Sequence, residues 1–264
     1  MRVDEHTISL DESPVFYRSA EAPGVPILYL HGIPTSSDDW VEFLTLTGGI
    51  APDLIGFGRS GKGGHLDYSL AGLTGFLEWF LAEVGVEKIN LVAHDWGAAV
   101  GLTLATRHPE RIERIVVLNP PPLFNGFSWP RVARLWRSAL IGEALMGSTT
   151  RGMFARALRH GSVREDAWPD ARVKQVWDQF DQGTQRAILR LVRSTNSELQ
   201  TPAPAPPTLI LWGERDPWYP PALAGAYAQH LAESRLELLS DAGHWPWLDR
   251  DDLVERVANF LQEQ

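Results

Sequence analysis

Residues 93–97 read Ala93-His94-Asp95-Trp96-Gly97. They lie between an apolar run (Ile89, Leu91, Val92) and a stretch of small residues (Ala98, Ala99, Val100, Gly101, Leu102). The pattern predicts a strand, a sharp turn and a helix, with an acid at the tip of the turn. Small residues at 93 and 97 let the strand and helix backbones approach closely. A carboxylate nucleophile is poorly suited to ester substrates, because attack on an acyl carbon would give an anhydride. Attack on a saturated carbon instead leaves an alkyl ester on the enzyme, which water can cleave. Asp95 therefore points away from esterases and towards dehalogenation or epoxide opening.

Such a nucleophile needs a base to activate water, an acid to orient the base, and donors for developing negative charge. His244 is the candidate base. It follows a predicted strand (235–239) in the loop Asp241-Ala242-Gly243-His244-Trp245, where Gly243 permits a tight turn, and imidazole takes up a proton near neutrality. His6, His65, His160 and His230 have no comparable context. His31 and His94 sit beside the active loops and are expected to shape them. Asp216 is the candidate acid, in Gly213-Glu214-Arg215-Asp216-Pro217 after the strand 207–212. Glu214 and Asp241 are rival carboxylates. The backbone N–H groups of Ile33 and Trp96 are candidate oxyanion donors, and the Trp96 indole N–H is a candidate donor to a leaving group.

Short β-rich runs (3–10, 15–18, 26–30, 49–52, 88–93, 114–118, 207–212, 235–239) alternate with helical patterns (37–46, 69–84, 96–108, 221–231, 250–262). That alternation predicts an α/β fold: a mostly parallel sheet wrapped by helices, with an antiparallel hairpin at its start. Residues 121–205 break the alternation. They hold only amphipathic helical stretches (129–145, 150–159, 171–180, 182–195) and are flanked by Pro120, Pro121 and Pro122 and by Pro202, Pro204, Pro206 and Pro207. We expect an inserted helical cap at 121–205 on a core of 1–120 and 206–264.

Net charge is −9, which argues against a nucleic-acid partner. The absence of Cys excludes disulfides and thiolate chemistry. No apolar stretch reaches membrane-spanning length and no signal-peptide core is visible, so the expectation is a cytoplasmic enzyme without a membrane partner. The cap carries 12 Lys and Arg against 7 Asp and Glu, a balance of +5. Solvated helix faces explain this, and a basic lid favouring anionic substrates is the sharper alternative. The Asp53–Ser60 turn lacks the spacing of a phosphate loop, and no metal-ligand spacing appears, so neither cofactor nor metal is expected.

Taken in order, His31-Gly32-Ile33-Pro34, Asp53–Ser60, His94-Asp95-Trp96-Gly97, Gly213–Asp216 and Gly243-His244 resemble the α/β-hydrolase fold family, specifically its haloalkane dehalogenase and epoxide hydrolase branch. The resemblance covers the chain outside the cap. It implies a triad of Asp95, Asp216 and His244, with Ile33 and Trp96 as oxyanion and leaving-group donors. Epoxide hydrolases of this family use cap tyrosines as proton donors, and 121–205 contains no Tyr; only Tyr219 is placed to approach the site. Haloalkane dehalogenases use the Trp after the nucleophile and a second donor, often an Asn at the position that is Ile33 in this chain, or else a cap Trp. An alkyl halide is thus the first expectation for a small apolar electrophilic substrate, with an epoxide as the alternative. A haloacid dehalogenase, an esterase and a non-catalytic binding protein rank lower. His31, Pro34, Trp129, Trp136, Trp177 and Tyr219 are the candidate pocket residues.

Overall fold

The computed structural model describes residues 1–121, 123, 129–195, 206–231 and 233–263. Within them, eight strands form one sheet in the order β1-β2-β4-β3-β5-β6-β7-β8. Strands β1 (Asp4–Leu10) and β2 (Ser13–Ala20) make the expected hairpin. The rest run parallel: β3 (Ile27–Leu30), β4 (Gly49–Pro52), β5 (Ile89–His94), β6 (Ile112–Leu118), β7 (Thr208–Gly213) and β8 (Ser234–Leu239). Every residue of β3, β4, β5 and β7 is buried, whereas β1 alternates between exposed and half-buried. That contrast separates central strands covered on both faces from an edge strand.

Helices α1 (Val41–Thr47), α2 (Leu70–Glu83), α3 (Asp95–Arg107), α9 (Ala224–His230), α10 (Pro246–Asp249) and α11 (Leu253–Gln262) flank the sheet. Ser69 caps α2 by accepting from the Gly72 amide. Between β6 and β7 the described residues form helices and no strand: α4 (Arg131–Arg137), α5 (Ile141–Gly147), α6 (Arg151–His160), α7 (Asp170–Gln179) and α8 (Gln182–Ser194). Thr150 and Asp181 cap α6 and α8. The prolines at 122, 202 and 204 lie outside the described residues.

The single helix expected over 129–145 is two. It breaks at Ser138–Leu140, where Leu140 takes φ +66°. Gly142 then packs against the Trp136 carbonyl, leaving no room for a Cβ (2.6 Å). Likewise 3-10 turns (Ser37–Trp40, Pro221–Leu223) precede α1 and α9, and α11 starts three residues after the expected 250. Among the described residues no helix is long and apolar enough to cross a membrane.

Candidate active site

Strand β5 runs straight into α3, and Asp95 sits at the junction with φ +45°. A non-glycine residue in that region stores strain, which only tight surroundings sustain. Two glycines provide them. A Cβ on Gly97 would lie 2.4 Å from the His31 carbonyl oxygen, and one on Gly32 would lie 2.6 Å from the Asp95 Cβ. The small residues flagged by the motif therefore have a steric reason: a larger side chain at 32 or 97 drives the two loops apart.

The buried Asp95 carboxylate is held at both oxygens. Oδ2 accepts the Ile33 amide at 3.1 Å, and Oδ1 accepts the Tyr219 hydroxyl at 2.9 Å. Burial pushes its pKa up, while the His244 charge, the Ile33 and Trp96 amides and Tyr219 pull the other way. Burial and the neighbouring Asp95 charge lift the Tyr219 phenol well above its ordinary value, so it stays a donor.

His244 Nδ1 lies 2.7 Å from Asp216 Oδ2. A carboxylate only accepts, so Nδ1 carries a proton and Nε2 is left for chemistry. Burial alone would lower the His244 pKa, but the Asp216 charge and hydrogen bond outweigh it, and Asp95 adds to them; the net direction is up. Asp216 itself is saturated. Its Oδ1 accepts the Trp218 and Tyr219 amides (2.8 and 3.0 Å), and its Oδ2 also accepts Asn119 Nδ2 (2.8 Å). A locked carboxylate fixes the imidazole plane. The rivals lie elsewhere: Asp241 is exposed and pairs with Arg250, and Glu214 is half-exposed.

A model of the family described as alpha/beta hydrolase fold matches residues 25–251. The chain belongs to the alpha/beta hydrolase fold family. Within this family it falls in the branch of haloalkane dehalogenases and epoxide hydrolases. It is 30% identical to a haloalkane dehalogenase of Mycolicibacterium paratuberculosis, over 96% of this chain and 86% of that one. It is 28% identical to epoxide hydrolase 4 of Mus musculus, over 94% and 76%. It is 27% identical to a cis-3-alkyl-4-alkyloxetan-2-one decarboxylase of Shewanella oneidensis, over 98% and 88%.

In this alpha/beta hydrolase a cavity of about 470 Å³ opens over Asp95. Of the expected residues, Asp95, His244, Ile33, Trp96, Pro34, Trp129, Trp136 and Tyr219 line it. Asp216 stands behind His244. Two expected pocket residues do not line it. His31 is fully buried, with Nδ1 donating to the Gly32 carbonyl and Nε2 accepting the Leu54 amide; it pins the Ile33 loop instead. Trp177 packs edge-on against Phe154, 5.3 Å between ring centres, and so supports the wall from behind. The basic-lid alternative is also corrected: among the described residues no Lys or Arg lines the cavity, whose wall is almost wholly apolar. The helices turn their cations outward because an unpaired charge is costly in an apolar cavity.

Sequence reasoning missed Trp218 and Trp245, although they lie two residues after Asp216 and one after His244. Met146, Phe154 and Phe180 carry no such signal, because only packing aims them inward. Nor did it assign a role to Asn119, which follows β6 and donates to Asp216.

The loop bearing His244 is tied to the helical segment above it. The His244 amide donates to the Gly161 carbonyl at 2.6 Å. Asp249 Oδ1 accepts the Val163 and Arg164 amides (2.8 and 2.9 Å), and its Oδ2 accepts the Gly243 amide at 2.7 Å. One buried carboxylate thus joins the His244 loop to the segment that roofs the cavity. His94 adds a tie from below: its Nε2 meets the His244 carbonyl at 2.8 Å. Asp249→Asn turns an N–H donor towards another donor. We expect a loss of about 2–3 kcal/mol, read as a melting point lowered by several degrees together with slower turnover. An unchanged melting point would contradict the tie.

Proposed function

We propose that this chain hydrolyses epoxides to vicinal diols through an alkyl ester on Asp95. The helical segment 121–205 serves as a cap domain on the core of 1–120 and 206–264. The observation that carries this reading is the Tyr219 hydroxyl, 2.9 Å from Asp95 Oδ1. Oδ2 faces the Ile33 amide, so Oδ1 is the attacking oxygen. Reacting atoms approach to about 3–3.5 Å before bond formation, and the ring oxygen lies one C–O bond further out. In-line attack places that ring oxygen beyond the attacked carbon, so the hydroxyl gives up its bond to Oδ1 as that oxygen bonds to carbon and swings towards the ring oxygen. The donor that the cap lacks is thus supplied by the loop that carries the orienting acid.

The steps balance as follows. Oδ1 bonds to a ring carbon, the carbon–oxygen bond breaks, and the ring oxygen takes the Tyr219 proton. Esterification removes the Asp95 charge that held the phenol pKa up. Proton donation therefore becomes easier as the nucleophile is consumed. His244 Nε2 then deprotonates water. The hydroxide adds to the ester carbon, and Oδ2 carries the negative charge against the Ile33 and Trp96 amides. Collapse expels the diol with the former Oδ1, and the protons return through His244 to product and phenolate. No step calls for a cofactor.

A second reading, halide displacement from an alkyl halide, is favoured by one observation. Trp96 lines the cavity and stacks with Trp129, 6.0 Å between ring centres. A departing halide needs donors but no proton, and the Trp96 indole is placed to be one. Both readings suit the apolar cavity wall, which disfavours haloacids. A panel of styrene oxide and longer terminal epoxides, bromoalkanes and haloacetates decides between them. We expect diol from the epoxides and little halide from the acids. Brisk halide release with no diol would replace the first reading by the second.

A further inference from the structure

Around the cavity mouth the exposed surface of α4, α5 and the start of α6 is apolar where a solvated surface is expected to be polar. Among the described residues, six of the ten strongly exposed large apolar side chains fall within 132–153: Val132, Leu135, Leu140, Ile141, Leu145 and Met153. Scattered exposed hydrophobics are ordinary, whereas a cluster of them marks an interaction site. Four of the six (Val132, Leu135, Leu145 and Met153) also line the cavity over Asp95, so the cluster rims its mouth. The other two form the turn between α4 and α5. Leu140 is 82% exposed and stands at φ +66°, a conformation that costs energy for a bulky residue. The start of α5 fixes that backbone, the Leu140 carbonyl accepting the Ala144 amide at 3.0 Å, and so holds the side chain out into solvent.

Charge identifies what would cover this face. Residues 129–161 contain six arginines and a single carboxylate, Glu143. Arg137 is spent on the Val192 and Thr195 carbonyls, Arg159 pairs with Asp170, and Glu143 is neutralised by Arg193. Arg131, Arg134, Arg151 and Arg156 are exposed and have no acidic partner among the described residues. The stretch is +5, which leaves −14 for the rest of the −9 chain. Two copies meeting through this face would bring like charges together. A nucleic acid would satisfy the arginines but not the leucines.

We propose that this face docks on an anionic lipid surface, with Leu140 and Ile141 entering the headgroup region and the cavity mouth turned towards the bilayer. Apolar side chains rimmed by arginines are what interfacial binding requires, and the acidic remainder is repelled to the far side. A lipophilic substrate dissolved in the bilayer would then meet the mouth directly. The sequence expectation of no membrane partner considered only spanning and targeting segments, and a surface that lies on a bilayer is neither.

The test is sedimentation of the whole chain with vesicles, without substrate, so that it stands apart from the ring-opening reading. We expect binding to phosphatidylglycerol–phosphatidylcholine vesicles that weakens with added salt, and much weaker binding to phosphatidylcholine alone. Leu140→Asp should reduce affinity by at least about tenfold, and Arg131→Glu or Arg134→Glu by at least about fivefold each. Leu140 does not line the cavity, so Leu140→Asp should keep its melting point and its turnover of a water-dissolved substrate. Absent binding, equal binding to both vesicles, or variants that bind like the parent would overturn the proposal. So would a dimer seen by light scattering that Leu140→Asp dissolves, because a second copy would then be the occupant.

Discussion

His244→Gln is expected to gain the mass of one substrate molecule and then stop. Glutamine keeps a polar side chain at the site but cannot take a proton from water, so the ester on Asp95 forms and is not cleaved. Steady turnover is expected to fall by about 10²–10⁴-fold. Intact-mass measurement after exposure to an epoxide should show stoichiometric modification, and peptide mapping should place it on Asp95. An unmodified mass alongside abolished turnover would remove the covalent route. Single turnover of the unaltered protein in heavy-oxygen water gives the complementary result: the label enters Asp95, because the incoming water oxygen stays on the carboxylate. In the unaltered protein, ester cleavage should rise with pH as the imidazole loses its proton. Asp216 raises the His244 pKa, which moves that limb upward from the ordinary histidine value.

Tyr219→Phe separates the two leaving groups. An alkoxide that departs without a proton is costly, so ring opening should slow by about 10²–10⁴-fold. Halide departure needs no proton and should change far less. The same substitution removes a donor that favours the ionised form of Asp95. The carboxyl then holds its proton to higher pH, and the acid limb of the rate profile moves up. Rates of diol formation measured across pH for both proteins check both effects. Full-speed epoxide opening by Tyr219→Phe would end the role given to this hydroxyl. The phenol replaces no core contact and its ring is retained, so the variant should fold.

Much of the molecule was legible before any coordinates. Strand–turn–helix around Asp95, the loops bearing Asp216 and His244, and the alternation of strands and helices all rest on patterns within a few residues of one another. Helix ends were less legible. The break at Leu140 rests on a backbone conformation that leucine rarely adopts, and the packing of Gly142 against Trp136 that accompanies it is invisible in a pattern of apolar positions. The Trp residues behave similarly. Two were expected in the pocket alike, but whether one faces a cavity, as Trp136 does, or stands behind it, as Trp177 does, depends on which helix lies opposite.

The chemistry proposed at the tip of the β5–α3 turn follows from residue types and local spacing alone: a carboxylate, an imidazole and a second acid in chain order. Which leaving group that carboxylate is equipped to expel does not. The Tyr219 hydroxyl reaches Asp95 across 124 positions, Asn119 reaches Asp216 across 97, and Asp249 ties the His244 loop to residues 85 and 86 positions away. Local sequence restricts backbone torsions, and so it determines elements. Side chains from distant elements converge only once the whole sheet and its helical roof have packed, and so tertiary structure alone decides which hydroxyl meets Asp95, the cavity wall and the exposed apolar rim.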